Sequence, residues 1–164
     1  MEGKNEVLYF AYGSNMDWEQ MKRRCLSAKF VSIAELMDYR FAIARTSHSR
    51  GCGSAGVLSQ PGAAVWGVVY EIDANDWGPL DAAEDFVPGR EKNSYTRREC
   101  TVHADGNEDQ TFLVSLYFPE PEENPPLPNA AYKRLIVGGA KYWRLPRDYI
   151  RELEKMKVGE DGEG

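Results

Sequence analysis

The order of apolar and polar residues sketches a set of elements. Residues 7–11, VLYFA, form a short uninterrupted apolar run, the pattern of a buried strand, which stops at the turn signal Tyr12-Gly13-Ser14-Asn15. Residues 17–24 then read as a helix, with Asn15 or Asp17 able to cap it, acids in its first turn and bases in its last. Residues 30–36 and 39–44 are apolar-rich and are expected as strands, and residues 47–54, rich in Ser and Gly, as a loop. Residues 55–58 and 64–72 are predicted to be a strand pair joined across the turn Gln60-Pro61-Gly62.

Further along, residues 76–86 read as a helix with Pro79 near its start. Trp77, Leu80, Ala83 and Glu84 recur at three- and four-residue spacings and so share one face. Residues 95–103 and 111–118 predict a hairpin around Asp105-Gly106-Asn107, followed by a Pro- and Glu-rich loop over 119–128. Residues 129–142 and 146–156 predict two helices with Leu135, Ile136, Tyr149, Ile150 and Leu153 facing inward. Residues 1–158 are expected as one domain, since no repeat or long linker divides them, and residues 159–164 as an acidic disordered tail. Helices interleave unevenly with about six or seven strands, which argues for an α+β fold with a mixed, barrel-like sheet flanked by helices.

Composition narrows the function classes. The 164 residues are 42 % hydrophobic and 28 % charged, ordinary values for a globular chain. A net charge of −6 disfavours binding to a phosphate backbone, so no nucleic-acid partner is expected, although a local anion site stays open. No apolar run approaches the roughly 20 residues that cross a bilayer. The first residues lack the charged and apolar regions of a signal peptide, so a cytoplasmic protein without a membrane partner is expected. Cys25, Cys52 and Cys100 are odd in number and far apart, unlike a disulfide framework. His48 and His103 are the only histidines and neither has metal-ligand spacing to another ligand type, so no metal and no cofactor is expected.

Several residues can carry chemistry. Gly13 permits a positive φ and a close approach to the backbone, and successive N–H groups there would form an anion or oxyanion site; a plain strand-to-helix turn is the alternative. Glu84 sits among Leu80, Ala82, Ala83 and Phe86 with few basic partners nearby in sequence. On an apolar face its carboxyl would be desolvated and its pKa raised, as suits a base near neutral pH; a surface acid is the alternative. Asp81 and Asp85 flank it and point elsewhere on a helix. Tyr117 and Tyr132, two of nine tyrosines, can each present a hydroxyl to a ligand or pack in the core. Ser14, Ser47 or Ser54 with His48 would suggest a hydrolase, but the G-x-S-x-G pattern is absent. Cys52 between two glycines is either an exposed thiol or incidental.

Four stretches arrive in an order that resembles the γ-glutamylcyclotransferase-like family. They are residues 9–16 (YFAYGSNM); Gln60-Pro61-Gly62 with Val65-Trp66-Gly67-Val68-Val69-Tyr70; Leu80-Asp81-Ala82-Ala83-Glu84; and Pro126, Pro128, Tyr132, Gly139-Ala140 and Leu145-Pro146 with Tyr149. The family usually has Gly directly after its glutamate, where this chain has Asp85, and residues 47–54 have no close family counterpart.

The resemblance implies a barrel-like sheet flanked by helices with a pocket between the Gly13 loop and Glu84. It also implies a reaction in which the α-amine of a γ-glutamyl amide attacks its own γ-carbonyl, releasing 5-oxoproline. Glu84 would be the catalytic acid and base, while Tyr12, Gly13, Ser14, Asn15, Tyr117 and Tyr132 would bind the small γ-glutamyl substrate. No enzyme nucleophile, metal or organic cofactor is required, and a homodimer is compatible with this reading. The alternatives are a same-fold enzyme that removes a γ-glutamyl group from a biosynthetic intermediate or a γ-glutamylamine, and a non-catalytic module that binds a small acid.

Overall fold

The apolar run near the start becomes strand β1 (Glu6–Ala11), whose neighbour belongs to a hairpin of two much longer strands, β2 (Lys29–Ser47) and β3 (Cys52–Asp73). A second hairpin supplies β4 (Tyr95–Ala104) and β5 (Thr111–Pro119). The strands close into a barrel in the order β1-β3-β2-β4-β5. Four seams are antiparallel, and the closing seam is a parallel contact of β1 with β5 at Tyr9 and Ser115. The computed structural model describes residues 5–159.

The barrel has five strands rather than six or seven because the long hairpin continues through places where the sequence signals a stop. Met37 lies opposite Ala64 and Tyr39 opposite Ser59, so Asp38 faces residues 60–63 across a wide bulge. Asp38 and Gly62 take left-handed conformations, with φ of 69° and 85°. The Asp38 carboxylate accepts the Gly62 N–H at 3.0 Å and closes the bulge. Gln60-Pro61-Gly62 is therefore not a hairpin turn. Residues 55–58 and 64–72 follow each other on β3 and pair with successive parts of β2. The expected loop over 47–54 shrinks to residues 48–51, the tip of this hairpin, and Cys52 is buried rather than exposed.

Four helices cover the barrel: α1 (Trp18–Arg24), α2 (Trp77–Ala83), α3 (Ala130–Tyr142) and α4 (Arg147–Glu154). Tyr9, Phe10 and Ala11 on β1 are all buried, and so are Val68, Val69 and Tyr70 on β3, so both faces of these strands are covered. Trp18 of α1 stacks on Tyr70, and Trp143 after α3 meets the same ring edge-on. Helix α3 comes unusually close to the turn after β1: a Cβ on Gly139 would lie 2.4 Å from the Met16 carbonyl carbon, so only glycine fits. Beside it the Trp143 Nε1–H donates to the Met16 carbonyl at 2.9 Å. Apart from Gly159, whose N–H donates to the Pro128 carbonyl, the tail expected over 159–164 lies outside the described residues.

Candidate active site

Strand β1 ends at Ala11 and the chain turns through Tyr12 and Gly13 into a 3-10 turn, Ser14–Met16. Asp17, not Asn15, caps α1, its carboxylate accepting the Gln20 N–H at 2.9 Å. Gly13 has φ of −117°, so its role is not a left-handed turn. A Cβ there would stand in ordinary contact with the Ala55 Cβ and the Tyr132 hydroxyl, at 3.5 and 3.8 Å, so local packing does not demand glycine either. The backbone N–H groups of Gly13, Ser14 and Asn15 meet no acceptor among the described residues. They border a small inner cavity of about 30 Å³, lined also by Tyr9, Tyr12, Tyr117 and Tyr132. That is room for about one water-sized polar group.

Glu84 stands where this inner cavity meets an outer one of about 350 Å³, and it borders both. Helix α2 ends at Ala83, so Glu84 is not on a helical face as the sequence suggested, but caps the end of the helix. The next residue, Asp85, takes φ of 53°, a conformation favoured by glycine and tolerated by aspartate. Its side chain anchors there, accepting from Arg90 at 3.0 Å and from Ser94 at 2.6 Å. The replacement of the family's glycine thus leaves room for the left-handed turn that releases Glu84 from the helix.

The Glu84 residue is only half-buried because the outer cavity opens over it, yet its carboxyl has no hydrogen-bond donor among the described residues. Desolvation lifts its pKa from the ordinary 4.5 to about 7, against the opposing pull of the Arg24 and Arg50 guanidiniums. Burial also raises the Tyr117 and Tyr132 phenols far above their usual range, so both remain protonated donors near neutral pH. Tyr132 accepts the Ala55 N–H at 2.8 Å, which leaves its own proton for a partner in the cavity. Tyr117 instead donates to Asp81 at 2.6 Å, and Tyr12 donates to the Tyr117 carbonyl at 2.6 Å, so both shape the wall.

The sequence-predicted residues Tyr12, Gly13, Ser14, Asn15, Tyr117, Tyr132 and Glu84 all line the inner cavity. Within it the Asn15 side chain is tied down by its neighbours. It donates to the Tyr9 hydroxyl and accepts from Gln20 and Arg24, at 2.9, 3.0 and 3.0 Å. Asp81 is far from idle: it is buried and accepts two hydrogen bonds from Arg97, at 2.5 and 2.6 Å, as well as that of Tyr117. Sequence reasoning missed Arg24 and Arg50. Arg50, in the tip of the β2–β3 hairpin, donates to Gln20 at 2.9 Å and to Ser14 at 3.3 Å, and lies 4.8 Å from the Tyr132 ring centre. Arg24 read only as one of three bases favouring a helix end, and nothing in the local pattern of residue 50 points to a pocket.

No group of three or more His, Cys, Asp or Glu side chains is gathered as a metal site among the described residues, and no described helix is long and apolar enough to cross a membrane. The AIG2-like family model matches residues 64–153. The γ-glutamylcyclotransferase of Bos taurus is 34 % identical over 154 residues, spanning 92 % of this chain and 78 % of its own. That of Homo sapiens is 32 % identical over 161 residues, spanning 94 % and 80 %. A solved structure of a γ-glutamyl cyclotransferase has a TM-score of 0.85 at 29 % identity, with 97 % of this chain and 92 % of that one covered. On the shared barrel and on identity spread over nearly its whole length, the chain belongs to the γ-glutamylcyclotransferase family, under the AIG2-like family model.

Proposed function

We propose that the protein releases 5-oxoproline from a γ-glutamyl amide, with Glu84 carrying the proton transfers. The substrate supplies its own nucleophile. Its α-amine attacks the γ-carbonyl carbon, a five-membered ring closes, and the bond from that carbon to the departing nitrogen breaks. Before attack the α-ammonium must lose a proton, and after it the leaving nitrogen must gain one. A carboxyl with a pKa of about 7 does both near neutral pH, contributing roughly 10²- to 10⁴-fold.

The remaining tasks fall to the inner cavity. As the ring closes, negative charge develops on the γ-carbonyl oxygen. The unpaired N–H groups of residues 13–15 and the Tyr132 hydroxyl are donors for that oxygen or for the substrate's α-carboxylate. Holding the glutamyl chain folded supplies further acceleration, since the attacking nitrogen and the carbonyl belong to one molecule. The observation that carries this reading is the isolated, desolvated Glu84 carboxyl beside unpaired donors in a cavity. A module that only binds a small acid gains nothing from a second carboxyl facing its ligand.

The cytoplasm is the proposed compartment, supported by three free thiols, Cys25, Cys52 and Cys100. The net charge of −6 supports a small-molecule substrate rather than a nucleic acid. The test is a panel of γ-glutamyl amino acids, peptides and amines, with 5-oxoproline followed by mass spectrometry. Release from at least one compound, lost in Glu84→Gln, is the expected result. No release from any compound overturns the reading.

A further inference from the structure

The outer cavity holds two guanidinium groups that form no salt bridge among the described residues, although both attract the Glu84 carboxyl without a hydrogen bond to it. Arg45, Arg90 and Arg97 each pair with a carboxylate, that of Glu122, Asp85 and Asp81 respectively. Arg24 and Arg50 do not, among the described residues. Arg24 donates to the Asn15 amide oxygen, and Arg50 to the Gln20 amide and Ser14 hydroxyl oxygens, all of them neutral. Neutral acceptors orient a guanidinium without neutralising it. In both groups part of the fork of N–H donors is left over. A half-buried cation fixed in this way is a socket for an anion that arrives with the ligand. Asp85, on the same rim, is turned away into its bonds with Arg90 and Ser94 and does not occupy the socket.

Position tells which part of a ligand the socket meets. The unpaired N–H groups and the pocket for one small polar group lie in the inner cavity, with Glu84 at the junction. Arg50 lines the outer cavity and not the inner one, in the hairpin tip where His48, Ser49 and Gly51 are exposed. A substrate whose reacting carbonyl meets both Glu84 and the inner donors directs its departing half toward that tip. We infer that Arg50, backed by Arg24, reads a carboxylate on the departing half of the substrate and selects γ-glutamyl amino acids and peptides over γ-glutamylamines. This rests on the cyclisation reading above. It assigns Arg50 as a specificity-determining residue, held in place by Ser14, Gln20 and the Tyr132 ring. A planar fork on an aromatic face fits a carboxylate in two-point contact, which a lysine at this position would not reproduce.

The experiment compares two substrates of equal size, γ-glutamyl-alanine and γ-glutamyl-alaninamide, which differ only in the charge of the departing half. Because Arg50 also holds down the pKa of Glu84, each enzyme is assayed on the plateau of its own pH profile. The wild type is expected to favour the acid by about tenfold or more in kcat/KM. Arg50→Gln should reduce that preference to within about threefold, mainly through KM, and Arg50→Lys should recover part of it. Circular dichroism checks that the variants fold; if they do not, the wild-type preference, and its weakening by salt as a charge contact requires, carries the test. Equal losses for acid and amide would mean that Arg50 serves the shared glutamyl half, and would overturn the inference. So would a wild type that turns over both substrates without preference, although the cyclisation reading would then stand. Absence of 5-oxoproline from both, and from the wider panel, removes both readings.

Discussion

Asp81 and Glu84 lie on one short segment, yet their surroundings are opposites. Asp81 is closed in by Arg97 and Tyr117, with the Arg97 guanidinium also 4.3 Å from the Trp77 ring. Glu84 looks into a cavity, receives no hydrogen bond from the described residues, and has cations near it that are held by other groups. The first arrangement is that of a structural charge: a buried carboxylate is tolerated when its acceptor sites are filled. The second leaves solvation incomplete so that a proton binds near pH 7. The contrast teaches that burial alone does not mark a catalytic carboxyl; burial with unfilled acceptor sites does.

The strongest way to break the contrast is Glu84→Gln, which should lower kcat by at least about 100-fold while ligand binding changes little, as read in steady-state kinetics and calorimetry. Its effect on stability has the opposite sign. The folded protein keeps the Glu84 proton up to about pH 7, whereas the unfolded chain releases it near 4.5, so native stability is eroded as pH rises between those values. The amide removes that erosion and should stabilise the protein by about 1–2 kcal/mol at pH 8, a figure reduced for the open cavity, and by little at pH 5. Denaturant melts at the two pH values measure it.

Asp81→Asn should do the reverse, costing about 2–4 kcal/mol of stability because Arg97 loses its counter-charge. Any loss of turnover should follow from the displaced segment, with an unchanged pH profile. A shifted profile would mean that the two carboxyls are not separate in role. Smaller again is the pH dependence itself. The base must be unprotonated to accept the amine's proton, so kcat/KM should fall about tenfold per pH unit below about 7. Smallest is Asp85→Gly, which relieves the left-handed backbone and gives up exposed bonds to Arg90 and Ser94. The net change should stay within about 1 kcal/mol in thermal melts, with turnover within about threefold.

Elements marked by a local apolar run or by turn residues were legible in the sequence. Strand β1, the β4–β5 hairpin with its Asp105-Gly106-Asn107 turn, and helices α3 and α4 announce themselves by apolar period and turn residues. The β2–β3 hairpin was not legible as one unit, because a bulge at Asp38 and a glycine at 62 imitate strand ends. The end of α2 was misjudged for a related reason: Glu84, Asp85 and Phe86 carry no Gly or Pro, and Asp85 takes the left-handed position without advertising it. The Gly13 loop and Glu84 were found through the family resemblance, while their local patterns were ambiguous. Arg24 and Arg50 were invisible for a physical reason. A cation in a helix end or a hairpin tip looks solvent-facing until the barrel closes and brings residues 14, 24, 50 and 84 around one cavity.

The tight seat of Gly139 against Met16 has a consequence for the order in which the protein is made. The turn that presents the N–H groups of residues 13–15 is steadied from behind by α3 and Trp143, and Tyr132 on the same helix completes the cavity wall. All the barrel strands lie before residue 120, so a chain growing on the ribosome can assemble its sheet with the loop still unbraced. The pocket becomes a pocket only when the residues after 120 emerge and α3 docks on the Ser14–Met16 turn. Pairing across such a distance along the chain is slow compared with hairpin formation. Ligand binding should therefore be the last property the nascent protein acquires, and the first it loses when its C-terminal helices are trimmed.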